Sequence, residues 1–125
     1  MIRHHTISLS HAFSGLMHGL KTQPNFIVHL VLSTLAVLAG LLFRLSVVEW
    51  AVLALTIFSG LVIELINTAI EATIDLVTDL YHHQAKVAKD TAAAAMLVYS
   101  FGSTIVALII FLPKILFLLG IWPSI

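Results

Sequence analysis

Residues 47–78 read VVEWAVLALTIFSGLVIELINTAIEATIDLVT, and this run decides the fold. Its first part, Val47 to Ile66, is apolar apart from Glu49 near the start, Glu64 near the end and two small hydroxyls. At about 20 residues it is long enough to cross a hydrocarbon layer of roughly 30 Å as a helix. Glu64 through Thr78 contains no Gly or Pro and keeps an apolar face through Leu65, Ile66, Ala69, Ile70, Ala72 and Ile74. The pattern predicts one helix that begins in the bilayer and runs out of it to about residue 78.

Two further apolar spans flank this one. Phe26 to Phe43 is interrupted by His29 and the small polar pair Ser33 and Thr34, and Ala92 to Leu112 stops at Pro113 and Lys114. The chain has 125 residues, 60% of them hydrophobic and 10% charged. A water-soluble domain of this size needs more polar surface than that. Membrane integration follows. Formal charge is zero, which gives no footing for nucleic-acid binding, and the absence of cysteine excludes disulfides and thiolate metal sites. The basic residues at the N-terminus are not followed by an apolar core, so a cleavable signal peptide is not expected.

Ser8 to Lys21 reads as a surface helix, with Leu9, Phe13, Leu16 and Leu20 recurring at helical spacing. Thr22-Gln23-Pro24-Asn25 ends it, because Pro24 disfavours helical geometry at Gln23. Tyr81-His82-His83-Gln84 reads as a polar turn, with a new helix from about Ala85. The tail from Ile115 to Trp122 is too short to cross alone; it lies at the interface or extends the third helix past a proline bend. The expected architecture is therefore an all-α integral membrane protein of one domain over residues 1–125. It has an amphipathic surface helix (8–21) and three transmembrane helices (26–43, 47–66 extending to about 78, and 92–112). Placing Arg3, Lys21, Lys86 and Lys89 inside and Arg44 and Lys114 outside follows the positive-inside rule. The N-terminus and the Asp75–Thr91 connection are then cytoplasmic.

Five of the six acidic residues, Glu49, Glu64, Glu71, Asp75 and Asp79, fall between Arg44 and Lys86, where there is no Lys or Arg. Carboxylates at a bilayer are costly and mark sites facing protein or water. A divalent cation, a proton or a Lys from elsewhere in the fold must offset them. Glu64, Asn67, Glu71 and Asp75 are spaced by three, four and four, which puts them on one helix face roughly 16 Å long. Its membrane end suits a lipid headgroup and its outer end a soluble co-substrate. Oxygen ligands, and few of them, suit Mg²⁺ bridging to phosphates. Lys89-Asp90 lies on the same side, where Lys89 could neutralise a transferring phosphate. The plainer alternatives are a solvated helix face for Asp75 and Asp79 and a snorkelling Lys89.

The seven histidines are scattered, and no third ligand joins His11 and His18 by spacing. GxxxxGK[ST], GxGxxG and GxSxG are all absent, which excludes the nucleotide folds and serine hydrolases that carry them. An oligomeric proton or cation channel with a ring of Glu64 carboxylates is the alternative from another class. It leaves Asn67, Glu71, Asp75 and Lys89-Asp90 without a task.

At Glu64-Leu-Ile-Asn-Thr-Ala-Ile-Glu-Ala-Thr-Ile-Asp75, followed by Tyr81-His82 and Ala88-Lys89-Asp90, the chain resembles the bacterial diacylglycerol kinase and undecaprenol kinase family. The resemblance implies a small three-span lipid kinase of the bacterial plasma membrane. It also implies a homotrimer whose active sites are shared between subunits near the cytoplasmic face. By the same resemblance Glu64 is the general base toward the lipid hydroxyl, Glu71 binds Mg²⁺ held with ATP, and Asn67 organises the site. Asp75, Tyr81, His82, Lys89 and Asp90 match the nucleotide-contacting region, with Glu71 beside them. Two positions depart from the family. Gln23 stands where many members carry a metal-binding Glu, and offers an amide oxygen without charge. His4 stands where a basic residue is usual, with Arg3 adjacent; Arg3, His4 and Glu64 would form the lipid side of the site. The substrate is diacylglycerol or undecaprenol, and the Thr-Gln-Pro-Asn-Phe-Ile-Val-His run looks closer to the undecaprenol branch.

Overall fold

The computed structural model describes residues 2–121, with side chains for 8–121. The helices are α1 (Ile2–Thr22), α2 (Pro24–Leu42), α3 (Val47–Val77) and α4 (His83–Leu118). The last three are long and apolar enough to span a membrane.

The first two breaks between helices have local causes. Gln23 takes extended backbone angles (φ −109°, ψ 107°) and Pro24 opens α2, where its missing N–H would have lacked a partner in any case. At the end of α2, Arg44 adopts the left-handed conformation (φ 51°). The Leu45 N–H then reaches back to the Gly40 carbonyl (3.1 Å) and the Arg44 N–H to that of Leu41 (3.3 Å). These are the two bonds of a Schellman cap, here with Arg rather than Gly at the strained position. Ser46 starts α3 by accepting from the Glu49 N–H, while the Glu49 side chain accepts from the Ser46 N–H at 2.7 Å.

Two boundaries differ from the sequence expectation. The first helix begins at Ile2 rather than at about residue 8. The helix of the third span starts at His83 rather than Ala85; of the two outcomes open for its tail, the structure shows extension through Pro113 to Leu118. Pro113 removes one backbone donor, but in an apolar phase the other carbonyls and amides gain more by staying paired. A second Schellman cap finally ends α4, with Gly120 at φ 71° and the Ile121 N–H on the Leu116 carbonyl.

α3 is the central element: α4 packs along it, and α2 and the end of α1 contact its other sides. Leu45, Leu53 and Ile110 form a buried cluster at one end, with Trp50, Val106 and Phe111 against it. At the other end the corner between α1 and α2 closes over Phe26, which is 1% exposed. Gly19 lets α1 come this close, since a methyl there would sit 3.2 Å from Leu65 Cδ2. Most other apolar side chains along the spans remain exposed on the single chain, among them Leu55, Phe58, Phe101 and Ile109. A surface so apolar is stable only against lipid or other apolar protein.

Candidate active site

The buried polar side chains of α3 lie next to each other. Glu64 is 0% exposed, and Asn67 and Thr68 are both buried one turn on. Asn67 donates from Nδ2 to Glu71 Oε1 at 3.0 Å, and the Thr68 hydroxyl donates to the Glu64 carbonyl at 2.9 Å. Both carboxylate oxygens of Glu64 and the Asn67 Oδ1 have no hydrogen-bond partner among the described residues. Groups like these are normally satisfied, because an unpaired buried acceptor costs about 1–3 kcal/mol. Ala92 and Ala95 of α4 face Ile63, Ile66, Asn67 and Ile70 across a cavity of about 200 Å³. Small side chains at this crossing bring the two backbones together beside Asn67.

Toward the end of α3 the side chains become exposed. Asp75, Tyr81, His82, Lys86, Lys89 and Asp90 line one cavity of about 390 Å³ formed by the end of α3, the 78–82 turn and the start of α4. Lys89 Nζ donates to Asp75 Oδ1 at 2.5 Å across this turn, and Lys86 pairs with Asp90 one helical turn away. Five of the six residues that the resemblance assigned to ATP binding, all but Glu71, thus line a single cavity. Glu71 lies between this cavity and the buried residues, one helical turn from both Asp75 and Asn67.

The tertiary structure also sorts the acidic run. Glu49 belongs to the opposite end, where it closes the α3 cap and accepts from Lys114 Nζ at 2.9 Å. Asp75 has Lys89. Glu64, Glu71 and Asp79 have no Lys or Arg partner among the described residues. The unbalanced charge therefore narrows from five carboxylates to three, two of them in the stripe.

Gln23 is half-buried between α1 and α2, and its side chain makes no capping bond. Arg3 and His4 lie on the first turn of α1, and their side chains fall outside the described ones. No three His, Asp or Glu side chains converge among the described residues, so no all-protein metal cage is present there. The available donors are the unpaired oxygens of Glu64 and Asn67 together with Glu71. This small, all-oxygen set fits Mg²⁺, which binds through one or two carboxylates and completes its shell with phosphates and water.

The sequence profile described as prokaryotic diacylglycerol kinase matches residues 10–111. An undecaprenol kinase of Bacillus subtilis is 43% identical over 108 residues, covering 86% of this chain and 88% of that protein. A diacylglycerol kinase of Synechocystis sp. is 38% identical over 114 residues, covering 90% of this chain and 65% of that longer protein. A diacylglycerol kinase of Helicobacter pylori is 46% identical over 50 residues, 40% of this chain and 39% of its own.

Proposed function

The chain belongs to the prokaryotic diacylglycerol kinase family, and from that premise we propose that it transfers the γ-phosphoryl group of ATP to the hydroxyl of a membrane lipid alcohol. The observation that carries this reading is the arrangement along α3. Glu64, buried and without a hydrogen-bond partner among the described residues, lies at the membrane end, and a polar cavity bearing Asp75, Lys89 and Asp90 lies at the other. The acceptor is undecaprenol in preference to diacylglycerol, with the extent and identity of the match to the B. subtilis enzyme in support.

In the proposed mechanism ATP lies along the outer half of the stripe, with its base and ribose near Tyr81 and His82 and its phosphates near Lys89 and Glu71. Glu64 takes the proton of the lipid hydroxyl as that oxygen attacks the γ-phosphorus in line. The bond from γ-phosphorus to the bridging oxygen breaks, and ADP leaves with the electron pair. Asn67 holds Glu71 through its Nδ2 bond, which keeps the carboxylate oriented. Lys89, fixed against Asp75, offsets charge on the transferring group. Glu71, with Asn67 or Gln23 as a further oxygen donor, would hold Mg²⁺, which would supply charge neutralisation at the phosphates.

The membrane setting follows the same reading. The end of α3 bearing Asp75 is cytoplasmic, and Arg44, Glu49 and Lys114 are on the outer side. α1 lies in the cytoplasmic interface with Leu9 and Phe13 turned to lipid, both exposed on the isolated chain. The exposed apolar faces of α2, α3 and α4 are covered by lipid and by further copies in a homotrimer. A cation channel ringed by Glu64 gives no task to the Asp75–Lys89 cavity and finds no support among the relatives.

The test is transfer of label from γ-labelled ATP to undecaprenol or diacylglycerol by purified protein in mixed micelles with Mg²⁺. Labelled lipid phosphate is the expected product. Folded protein that labels neither alcohol overturns the proposal.

A further inference from the structure

Tyr99 of α4 occupies a position that the proposed chemistry leaves unexplained. Its ring lies across Gly60 of α3, one helical turn toward the membrane interior from Glu64. A Cβ built on Gly60 would sit 2.5–2.7 Å from the phenol oxygen, Cζ and Cε1 of Tyr99, so only glycine admits the ring here. The hydroxyl donates to the Thr56 carbonyl at 2.7 Å, a turn further down. His29 of α2 packs on the other side of the ring, with centroids 5.8 Å apart and planes tilted by 54°. Three helices thus meet at one side chain.

That side chain also borders two cavities. One cavity of about 370 Å³ between α3 and α4 is lined by Val52, Thr56, Ser59, Tyr99 and Gly102. Another of about 330 Å³ opens on the α2 side, lined by His29, Ser33, Leu53, Thr56 and Tyr99. Both are of the size of small-molecule pockets. Tyr99, Thr56 and Ser103 are common to the two, and removing the ring would widen the space between them on the membrane side of Glu64.

We propose that Tyr99 is a positioning and specificity-determining residue for the acceptor lipid. Seated on Gly60 and tied to the Thr56 carbonyl, its ring lies one helical turn to the membrane side of Glu64 and sets how far the acceptor's head can sink. A lipid alcohol arriving from the bilayer meets this wall before it meets Glu64. The depth at which its hydroxyl stops decides which acceptor presents oxygen to the carboxylate. Tyr99 does not line the Asp75–Lys89 cavity, so its influence is expected on the lipid rather than on ATP. The inference rests on the lipid kinase reading and adds a determinant of acceptor choice to it.

The experiment compares wild type with Tyr99→Ala, Tyr99→Phe and Gly60→Ala in mixed micelles. It reads kcat and KM for undecaprenol, for diacylglycerol and for ATP. Tyr99→Ala is expected to change the ratio of kcat/KM for the two alcohols by about tenfold or more, the scale set by a misfitted apolar group. The KM for ATP stays at the wild-type value. Gly60→Ala, whose methyl displaces the ring, shifts the ratio in the same direction. Tyr99→Phe keeps the ring and the ratio and loses about fivefold or less in kcat/KM, the value of one net hydrogen bond. If Tyr99→Ala does not fold, Gly60→Ala carries the same readout. An unchanged ratio in the folded variants, or an equal loss with both alcohols, overturns the inference and leaves Tyr99 a packing residue. Wild type inactive on both alcohols would instead overturn the lipid kinase reading itself.

Discussion

Replacing Glu64 by Gln should stabilise the protein while disabling it. Glu64 is fully enclosed, and neither carboxylate oxygen has a partner among the described residues. Leaving such a group unsatisfied costs about 1–3 kcal/mol when neutral and more when charged. Gln keeps the shape, removes the charge and brings a donor of its own beside the unpaired Asn67 Oδ1. A gain of about 1 kcal/mol or more is therefore expected in Mg²⁺- and ATP-free detergent, read from the midpoint of denaturant unfolding. Loss of a general base removes about 10²- to 10⁴-fold in rate, read by label transfer from ATP. The opposite signs separate a functional role from damage to packing, since damage would lower both. A variant less stable than wild type, or one keeping more than about a tenth of the wild-type turnover, refutes the reasoning.

Three other substitutions probe the rest of the chain. Lys89→Ala breaks a pair whose side chains are 39% and 63% exposed, so stability should fall by less than about 1 kcal/mol. Its turnover should nonetheless fall about 100-fold or more, and equal small effects on both would remove Lys89 from the phosphate-binding role. Lys114→Ala leaves Glu49 with its cap bond alone; unfolding should show a loss of about 1 kcal/mol, with phosphoryl transfer unchanged. Arg44→Gly relieves the left-handed residue in the α2–α3 turn and should stabilise by about 0.5–1 kcal/mol, the unfolded chain's extra freedom offsetting part of the gain. A destabilised glycine variant would show that the Arg44 side chain matters more than its backbone.

Much of the fold is legible in the sequence because a bilayer permits few alternatives. Three apolar runs must become helices, since no other open structure pairs its backbone groups in lipid. The break at Gln23-Pro24 and the unbroken helix through Glu64 and Asp75 follow from steric rules on one or two residues. At Pro113 the sequence leaves two outcomes open, and the helix continues because the local cost is outweighed by pairing across the rest of α4. The capping box was available as well, written in Ser46-Val47-Val48-Glu49. It would have marked Glu49 as a structural acid rather than one of a functional set.

The site divides in the same way. Helical periodicity places Glu64, Asn67, Glu71 and Asp75 on a common side without reference to any other segment. The Gly60–Tyr99 contact has no signal in sequence, because a glycine in one apolar helix and a tyrosine in another look unremarkable until the helices cross.

The sequence by itself determined the number of spans, the long third helix and the acidic stripe, since each depends on short-range sterics and on the exclusion of water. Only the tertiary structure decided which carboxylates are neutralised, giving Lys114 to Glu49 and Lys89 to Asp75 and leaving Glu64 enclosed without a partner among the described residues. Pairing of this kind is set by how helices cross in three dimensions, and the order of residues along one helix carries no record of it.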